Sequence, residues 1–307
     1  MKSISTKNMD YQEWLSHRKE SIGASDSGAV LGYSKWKTPM DVYLEKTGDV
    51  NPIEDNLSMR LGRDLEPIIK SLFKEESGLT VRNDNKIRVH PKFKFLTTNL
   101  DGVVVGGAPV EYKTMTKWTG EISDQYFCQL QHQMMVTGAK HIYFAVLVLG
   151  NSKQFIWEKY DRDEEFIYWM IEGLVDFWYN NVVTKIPPPT INLSDCRNIN
   201  PMADEGATIS YPCEPMLDRM LFIKSEIRTL QDEHDKTKKE IMDIMGKAEL
   251  MEYNGIPRVS WKNSKPTKRF DYKALKKIHP EIYNEFMVER NGTRRFLIKK
   301  YEEGENE

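Results

Sequence analysis

Asp101-Gly102-Val103-Val104-Val105-Gly106-Gly107-Ala108-Pro109-Val110-Glu111-Tyr112-Lys113 is the stretch of this chain whose residue types and spacing most directly suggest chemistry. It reads as a short β-hairpin turning at its glycines, with a carboxylate at its start and Glu-x-Lys on the returning strand. Side chains two apart on a strand share a face, so Glu111 and Lys113 point one way and Val110 and Tyr112 the other. Hard carboxylate oxygens beside a lysine can hold a divalent cation and set a water against a phosphodiester. Taken alone, the triplet reads as an ordinary Glu–Lys pair on a surface hairpin, because such triplets are common by chance. Register separates the two. A four-residue loop at Gly106–Pro109 would pair Val105 with Val110 and Asp101 with Thr114, so that Asp101 faces away from Glu111. A site shared by Asp101 and Glu111 therefore predicts an odd-length loop or a bulge, near Gly102 or the Gly106-Gly107 pair.

Three other segments carry polar groups where chemistry could use them. In Leu61-Gly62-Arg63-Asp64-Leu65-Glu66, Glu66 borders the apolar stripe of a helix and can lean over a sheet edge; a solvated helix glutamate is the plain alternative. In Tyr126-Phe127-Cys128-Gln129-Leu130-Gln131-His132-Gln133-Met134, Gln129, His132 and Gln133 share a helix face, with Leu130 and Met134 on the face that packs. Amides there could bond to a metal-held water or a phosphate, or simply line an amphipathic helix. Near the N-terminus, Trp14-Leu15-Ser16-His17-Arg18 precedes Ile22-Gly23-Ala24-Ser25-Asp26-Ser27-Gly28. Ser25 or Asp26 can cap the next helix, and serine hydroxyls with an arginine nearby suit a phosphate.

The elements that would position these residues alternate. Helices are predicted at Tyr11–Glu20, Ser25–Leu31, Pro39–Thr47, Leu57–Ser77 (kinked or split at Pro67), Ser123–Thr137 and Arg162–Asn181. Strands are predicted at Thr80–Arg82, Lys86–His90, Phe95–Thr98, the hairpin, Ile142–Leu149 and Gln154–Tyr160. This order implies an α/β (α+β) fold with one mixed central sheet flanked by helices. Ile186-Pro187-Pro188-Pro189 ends that part, so residues 1–190 form the first domain and 191–215 a polar linker. Residues 216–307 form a C-terminal accessory domain. Met220, Ile223, Ile227, Leu230, His234, Thr237, Ile241 and Ile244 make a heptad seam there. Asn254-Gly255 signals a small hairpin, Tyr272–Glu289 a helix, and Arg294–Lys300 a basic strand.

Composition bounds the function. With 307 residues, 39% hydrophobic and 29% charged, the chain can bury a proper core. No apolar run suits a bilayer span and no signal core opens the chain, so a cytoplasmic protein is expected. Its three cysteines, Cys128, Cys196 and Cys213, make neither a disulfide framework nor a metal quartet. The net charge of −2 supplies no global field for nucleic acid, so any such site must be local.

The order Trp-Leu-x-x-Arg, Ile-Gly-Ala-Ser-Asp, Leu-Gly-Arg-x-Leu-Glu, Leu-Asp-Gly, Val-Glu-Tyr-Lys, Gln-Leu-Gln-His-Gln-Met resembles the YqaJ-type viral recombinases, the group of phage lambda exonuclease within the PD-(D/E)XK nuclease superfamily. The resemblance covers roughly residues 10 to 185. It implies a restriction-endonuclease-like core and a site using Mg²⁺, or Mn²⁺ in its place, with a pair of ions. It also implies 5′→3′ degradation of one strand of linear double-stranded DNA. It places the metal-holding carboxylates at Glu66, Asp101 and Glu111, the family lysine at Lys113 and the family glutamine at Gln129, all in catalytic roles. Arg18 and Ser25 fall where the family holds a 5′-terminal phosphate. Leu100 stands where the superfamily has proline before the aspartate. A single-strand annealing protein as partner and a homo-oligomer, a ring trimer among the forms, are further implications. An endonuclease or nickase on the same fold, or a non-catalytic DNA-binding scaffold, are the alternatives.

Overall fold

The computed structural model describes residues 2–48, 56–151, 153–289 and 292–298, and the chain forms two compact units, Met1–Ile199 and Asn200–Glu307. The first unit runs β1 (Ser3–Ser5), α1 (Tyr11–Lys19), β2 (Ile22–Gly23), α2 (Ala24–Val30), α3 (Pro39–Thr47), α4 (Leu57–Ser77), β3 (Val81–Arg82), β4 (Lys86–Val89) and β5 (Leu96–Thr98). It continues with β6 (Gly102–Val104), β7 (Pro109–Met115), α5 (Asp124–Thr137), β8 (His141–Val148), β9 (Gln154–Asp161), α6 (Glu164–Phe177) and α7 (Leu193–Ile199). Local chemistry sets the helix ends. Thr38 caps α3 in a reciprocal box with Asp41, Pro39 supplies the first turn, and Gly48 closes it at φ 85°. Gly78 ends α4 at φ 69°. Pro67 does not split α4, which is one helix.

The strands form two sheets rather than the single one expected. A five-stranded sheet has the order β3-β6-β7-β8-β9, antiparallel except for the parallel pair β7 and β8. A four-stranded sheet has the order β1-β4-β5-β2, with β2 parallel to β5. Both are mixed and flanked by helices. The split arises because β4 and β5 pair with each other and with β1 and β2, while β6 leaves to join β3 and β7. Strand β1, Ser-Ile-Ser, is too short and polar to announce itself.

Residues on β7 and β8 pack against helices on both faces. On one face, Ile69 and Phe73 of α4 meet Val110, Tyr112 and Ala145. On the other, Leu130 and Met134 of α5 meet Ile142, Phe144 and Val146. A third cluster joins α2, α3 and α6 through Ala29, Met40, Leu44, Ile167 and Met170. Helix α6 continues as a π-helical turn, Trp178–Val183.

The expected linker at 191–215 is partly structured. Its residues Leu193–Ile199 form α7, where Asn192 Oδ1 accepts from the Asp195 N–H at 2.9 Å. Asp195 is fully buried and accepts from Thr38 Oγ1 at 2.8 Å and from Ile191 N at 2.9 Å. Ile199 packs on the third cluster.

The second unit contains α8 (Glu214–Met245), β10 (Leu250–Tyr253), β11 (Ile256–Ser260), α9 (Tyr272–Ile278) and α10 (Pro280–Glu285). Asn254 and Gly255 both have positive φ, 54° and 74°, as a two-residue hairpin turn of this hand requires. Pro257 is accommodated opposite Glu252 by a register shift at Met251/Glu252. The helix expected over Tyr272–Glu289 is two helices, because Pro280 lacks the N–H to continue α9 and opens α10 instead. Residues 292–298 form no strand, and Lys299 and Lys300 lie outside the described residues. The heptad seam lies on α8 with Ile227 and Leu230 exposed.

If α7 completes the first unit, a fragment ending at residue 199 keeps the melting temperature of that unit. A fragment ending at residue 190 loses the Asp195 bonds and the Ile199 contact, and melts about 4 to 8 °C lower. Equal melting of the two fragments by circular dichroism would refute the boundary.

Candidate active site

The hairpin has an odd-length connection. Val103 faces Pro109 and Gly102 faces Val110, leaving Val104 to Ala108 between the last paired residues. Within it, Val104 N donates to Ala108 O and Gly107 N to Val104 O, both at 2.8 Å. Gly106 and Gly107 take φ of 119° and 101°, a region closed to most side chains. One step back along this register sets Asp101 opposite Glu111, on the same side of the strands. The Tyr112 N–H donates to Asp101 Oδ2 at 2.8 Å and ties the two strands together at that level.

Glu111 is 3% exposed and its carboxylate is held from three sides. Gln129 Nε2 donates to Oε1 and Gln133 Nε2 to Oε2, each at 2.6 Å, and Lys113 Nζ lies 2.5 Å from Oε1. Both amides come from α5, one turn apart. This helix is buried from Cys128 to Val136 rather than amphipathic, so its polar residues need partners. Gln131 donates to Asp161 O at 3.0 Å and accepts from Asp163 N at 3.0 Å. His132 Nε2 lies 3.1 Å from Thr97 O. Gln133 is the residue that sequence reasoning grouped with Gln129 and gave no place; the i, i+4 glutamine pair facing one strand was the available signal.

Arg18, Ser25, Asp101, Glu111, Lys113 and Gln129 line one cleft. Glu66 does not line it. It borders a second cleft, with Lys70 and Tyr112, which Asp101 also lines. Leu100 is buried. Arg18 lies over the Trp14 ring at 5.0 Å, with Nη2 3.4 Å from Asp26 Oδ1. Asp26 is itself buried and also takes Lys37 at 2.9 Å and Lys46 at 2.7 Å. Burial pushes the Asp26 carboxyl up, but Lys46, Lys37 and Arg18 more than offset it and hold it well below the usual range.

Negative charge is in excess around Asp101. Burial and the nearby Glu111 raise the Asp101 carboxyl well above the ordinary value, although Lys113 opposes them. Burial and Glu111 likewise raise Glu66. Burial pulls Lys113 down, yet Glu111 and Asp101 prevail and raise it, so it is a firmly held ammonium. Among the described residues, no three His, Cys, Asp or Glu side chains are gathered as a ready metal cage. The donors present are nonetheless hard oxygens, and added positive charge is what would keep Asp101 ionised beside Glu111. That chemistry fits a hard divalent cation and not a thiolate-bound metal.

The sequence aligns with the protein YqaJ of Bacillus subtilis (strain 168), itself uncharacterized, at 32% identity over 309 residues, covering 95% of each chain. The chain belongs to the YqaJ family. The YqaJ-like viral recombinase domain matches residues 13–140, a segment that contains Arg18, Ser25, Glu66, Asp101, Glu111, Lys113 and Gln129. Among solved structures, the alkaline exonuclease LHK-Exo from Laribacter hongkongensis, in complex with dAMP, superposes with a TM-score of 0.50 at 22% identity. The match covers 57% of this chain and 94% of that one, and shows that this YqaJ-family member shares its fold. No described helix is long and apolar enough to cross a membrane.

Two predictions concern the groups that hold the cleft in place. Burial lowers His132 from 6.5 to about 4, so the folded protein binds that proton more weakly than the unfolded chain. The stability His132 contributes is complete above pH 6.5 and is lost as the pH falls to about 4, by up to roughly 3 kcal/mol. Urea titrations across that window should show this slope in the wild type and a flatter one in His132→Gln. Separately, Asp26→Asn leaves buried Lys46 without a counter-charge, and should cost about 3 to 5 kcal/mol at neutral pH. An unchanged urea midpoint would show that the cluster contributes nothing.

Proposed function

We propose that this YqaJ-family chain is a metal-dependent exonuclease that degrades one strand of linear double-stranded DNA from its 5′ end. The observation that carries the reading is the shared face of Asp101 and Glu111, in one cleft with Lys113, Gln129, Arg18 and Ser25. Kinship in fold with an alkaline exonuclease solved with dAMP supports it.

In this reading Asp101 and Glu111 would hold Mg²⁺ or Mn²⁺, and Glu66, from the neighbouring cleft, would serve a second ion. When bound, such ions acidify water and stabilise charge on a scissile phosphate. Gln129 and Gln133 fix the Glu111 carboxylate in one orientation, so that no reorganisation is needed at the moment of reaction. Lys113, whose ammonium lies 2.5 Å from Glu111 Oε1, orients the attacking water and offsets charge on the phosphate. The planar Arg18 guanidinium and the exposed Ser25 hydroxyl grip a 5′-terminal phosphate and so favour cleavage from an end. The uncovered complementary strand is what a single-strand annealing partner would take up. A ring of copies, such as a trimer, would keep the enzyme on its substrate.

Digestion of linear and covalently closed duplexes with Mg²⁺ tests the proposal. The linear substrate should disappear and the closed circle survive; cutting of the circle would instead favour an endonuclease. Glu111→Ala and Lys113→Ala should each lower the rate by about 100-fold or more with circular dichroism unchanged. Full activity in either variant would remove these assignments. Arg18→Ala should erase the preference for phosphorylated over hydroxyl 5′ ends, and an unchanged ratio would reject its role.

A further inference from the structure

Tyr112 lies between Glu111 and Lys113 on β7 and so faces the opposite way, onto α4. Its ring packs with Ile69, Phe73 and Val81, and the residue is 5% exposed. Its hydroxyl is buried and has no hydrogen-bond partner. An unpaired buried hydroxyl destabilises the fold, and a phenylalanine would fill the same space without that cost. The backbone makes room for the oxygen. A Cβ at Gly102 would stand 3.0 Å from it and 2.6 Å from Val81 Cγ1, so only glycine there leaves the hydroxyl where it is.

The surroundings indicate what the hydroxyl is for. Tyr112 lines the second cleft together with Glu66 and Asp101. An ionised carboxylate only accepts hydrogen bonds, and the Tyr112 hydroxyl is a buried donor at this cleft with no partner of its own. Two nearby cations are already engaged: Lys113 with Glu111, and Lys70 with Asn83. We infer that Tyr112 is a positioning residue for Glu66: with divalent cations bound, the Glu66 carboxylate takes the Tyr112 hydroxyl as its donor and is held in place to serve the second ion. This rests on the metal-dependent reading above, and adds to it a residue on the far face of the strand, with Gly102 as its enabling partner.

Tyr112→Phe in the full chain tests the inference, because it removes one oxygen from a packed ring. Calorimetric titration with Mn²⁺ should show roughly 10-fold weaker binding in the variant. The turnover rate on linear duplex should fall by a similar factor with KM for DNA unchanged. Thermal unfolding in EDTA should be unchanged or shifted upward, since an unpaired hydroxyl is lost. Unaltered Mn²⁺ affinity and turnover would overturn the inference, and so would a lower melting temperature in EDTA, which would mean that the hydroxyl is already bonded. A wild-type protein that binds no Mn²⁺ overturns this inference and the nuclease reading together. Binding that is normal in both proteins overturns this one alone.

Discussion

A carboxylate withdrawn from water must be repaid with hydrogen bonds and opposite charge, and Glu111 is where this protein meets that demand. At 3% exposure it takes two amides and an ammonium, leaving little freedom to any of them. Gln129 and Gln133 fix the rotation of α5 over β7. The same rotation sends Gln131 to the β9–α6 turn and His132 to β5, so a single helix ties both sheets together through polar contacts. The apolar residues Leu130 and Met134 then fall on β8. The site and the core are built by one placement of one helix.

The parallel pairing of β7 with β8 belongs to the same constraint. It runs from Val110–Tyr143 to Met115–Val148 and brings α5 back across the sheet as the crossover between them. The strand carrying Glu111 and Lys113 is therefore internal, with α4 on one face and α5 on the other. Its side chains are ordered by neighbours on every side, which is what a site needs if its geometry is to be held without a ligand.

The sequence disclosed elements whose ends are chemically marked. Thr38, Pro39 and Gly48 bracket α3, and Gly78 stops α4, because caps act locally. The alternation of Glu111 and Lys113 against Val110 and Tyr112 was equally readable. The parity of the hairpin loop was not, since paired glycines suit more than one loop length; only the observed pairing fixes it. Strand β1 and helix α7 were hidden because partners far away in sequence hold them, β4 in one case and Thr38 in the other. The place of Gln133 depended on a tertiary contact with β7, and the separation of Glu66 into its own cleft depended on how α4 crosses the sheet.

The cluster around Asp26 has a consequence for how the neighbouring cleft could receive an anion. Its three cations are unequal: Lys46 and Lys37 sit at 2.7 and 2.9 Å, Arg18 at 3.4 Å. Arg18 is also the most exposed, and the Trp14 ring supports its guanidinium from the side. Withdrawal of Arg18 toward an incoming anion leaves Asp26 still doubly compensated. The arginine is in effect a detachable counterion, kept in position by a carboxylate that does not depend on it.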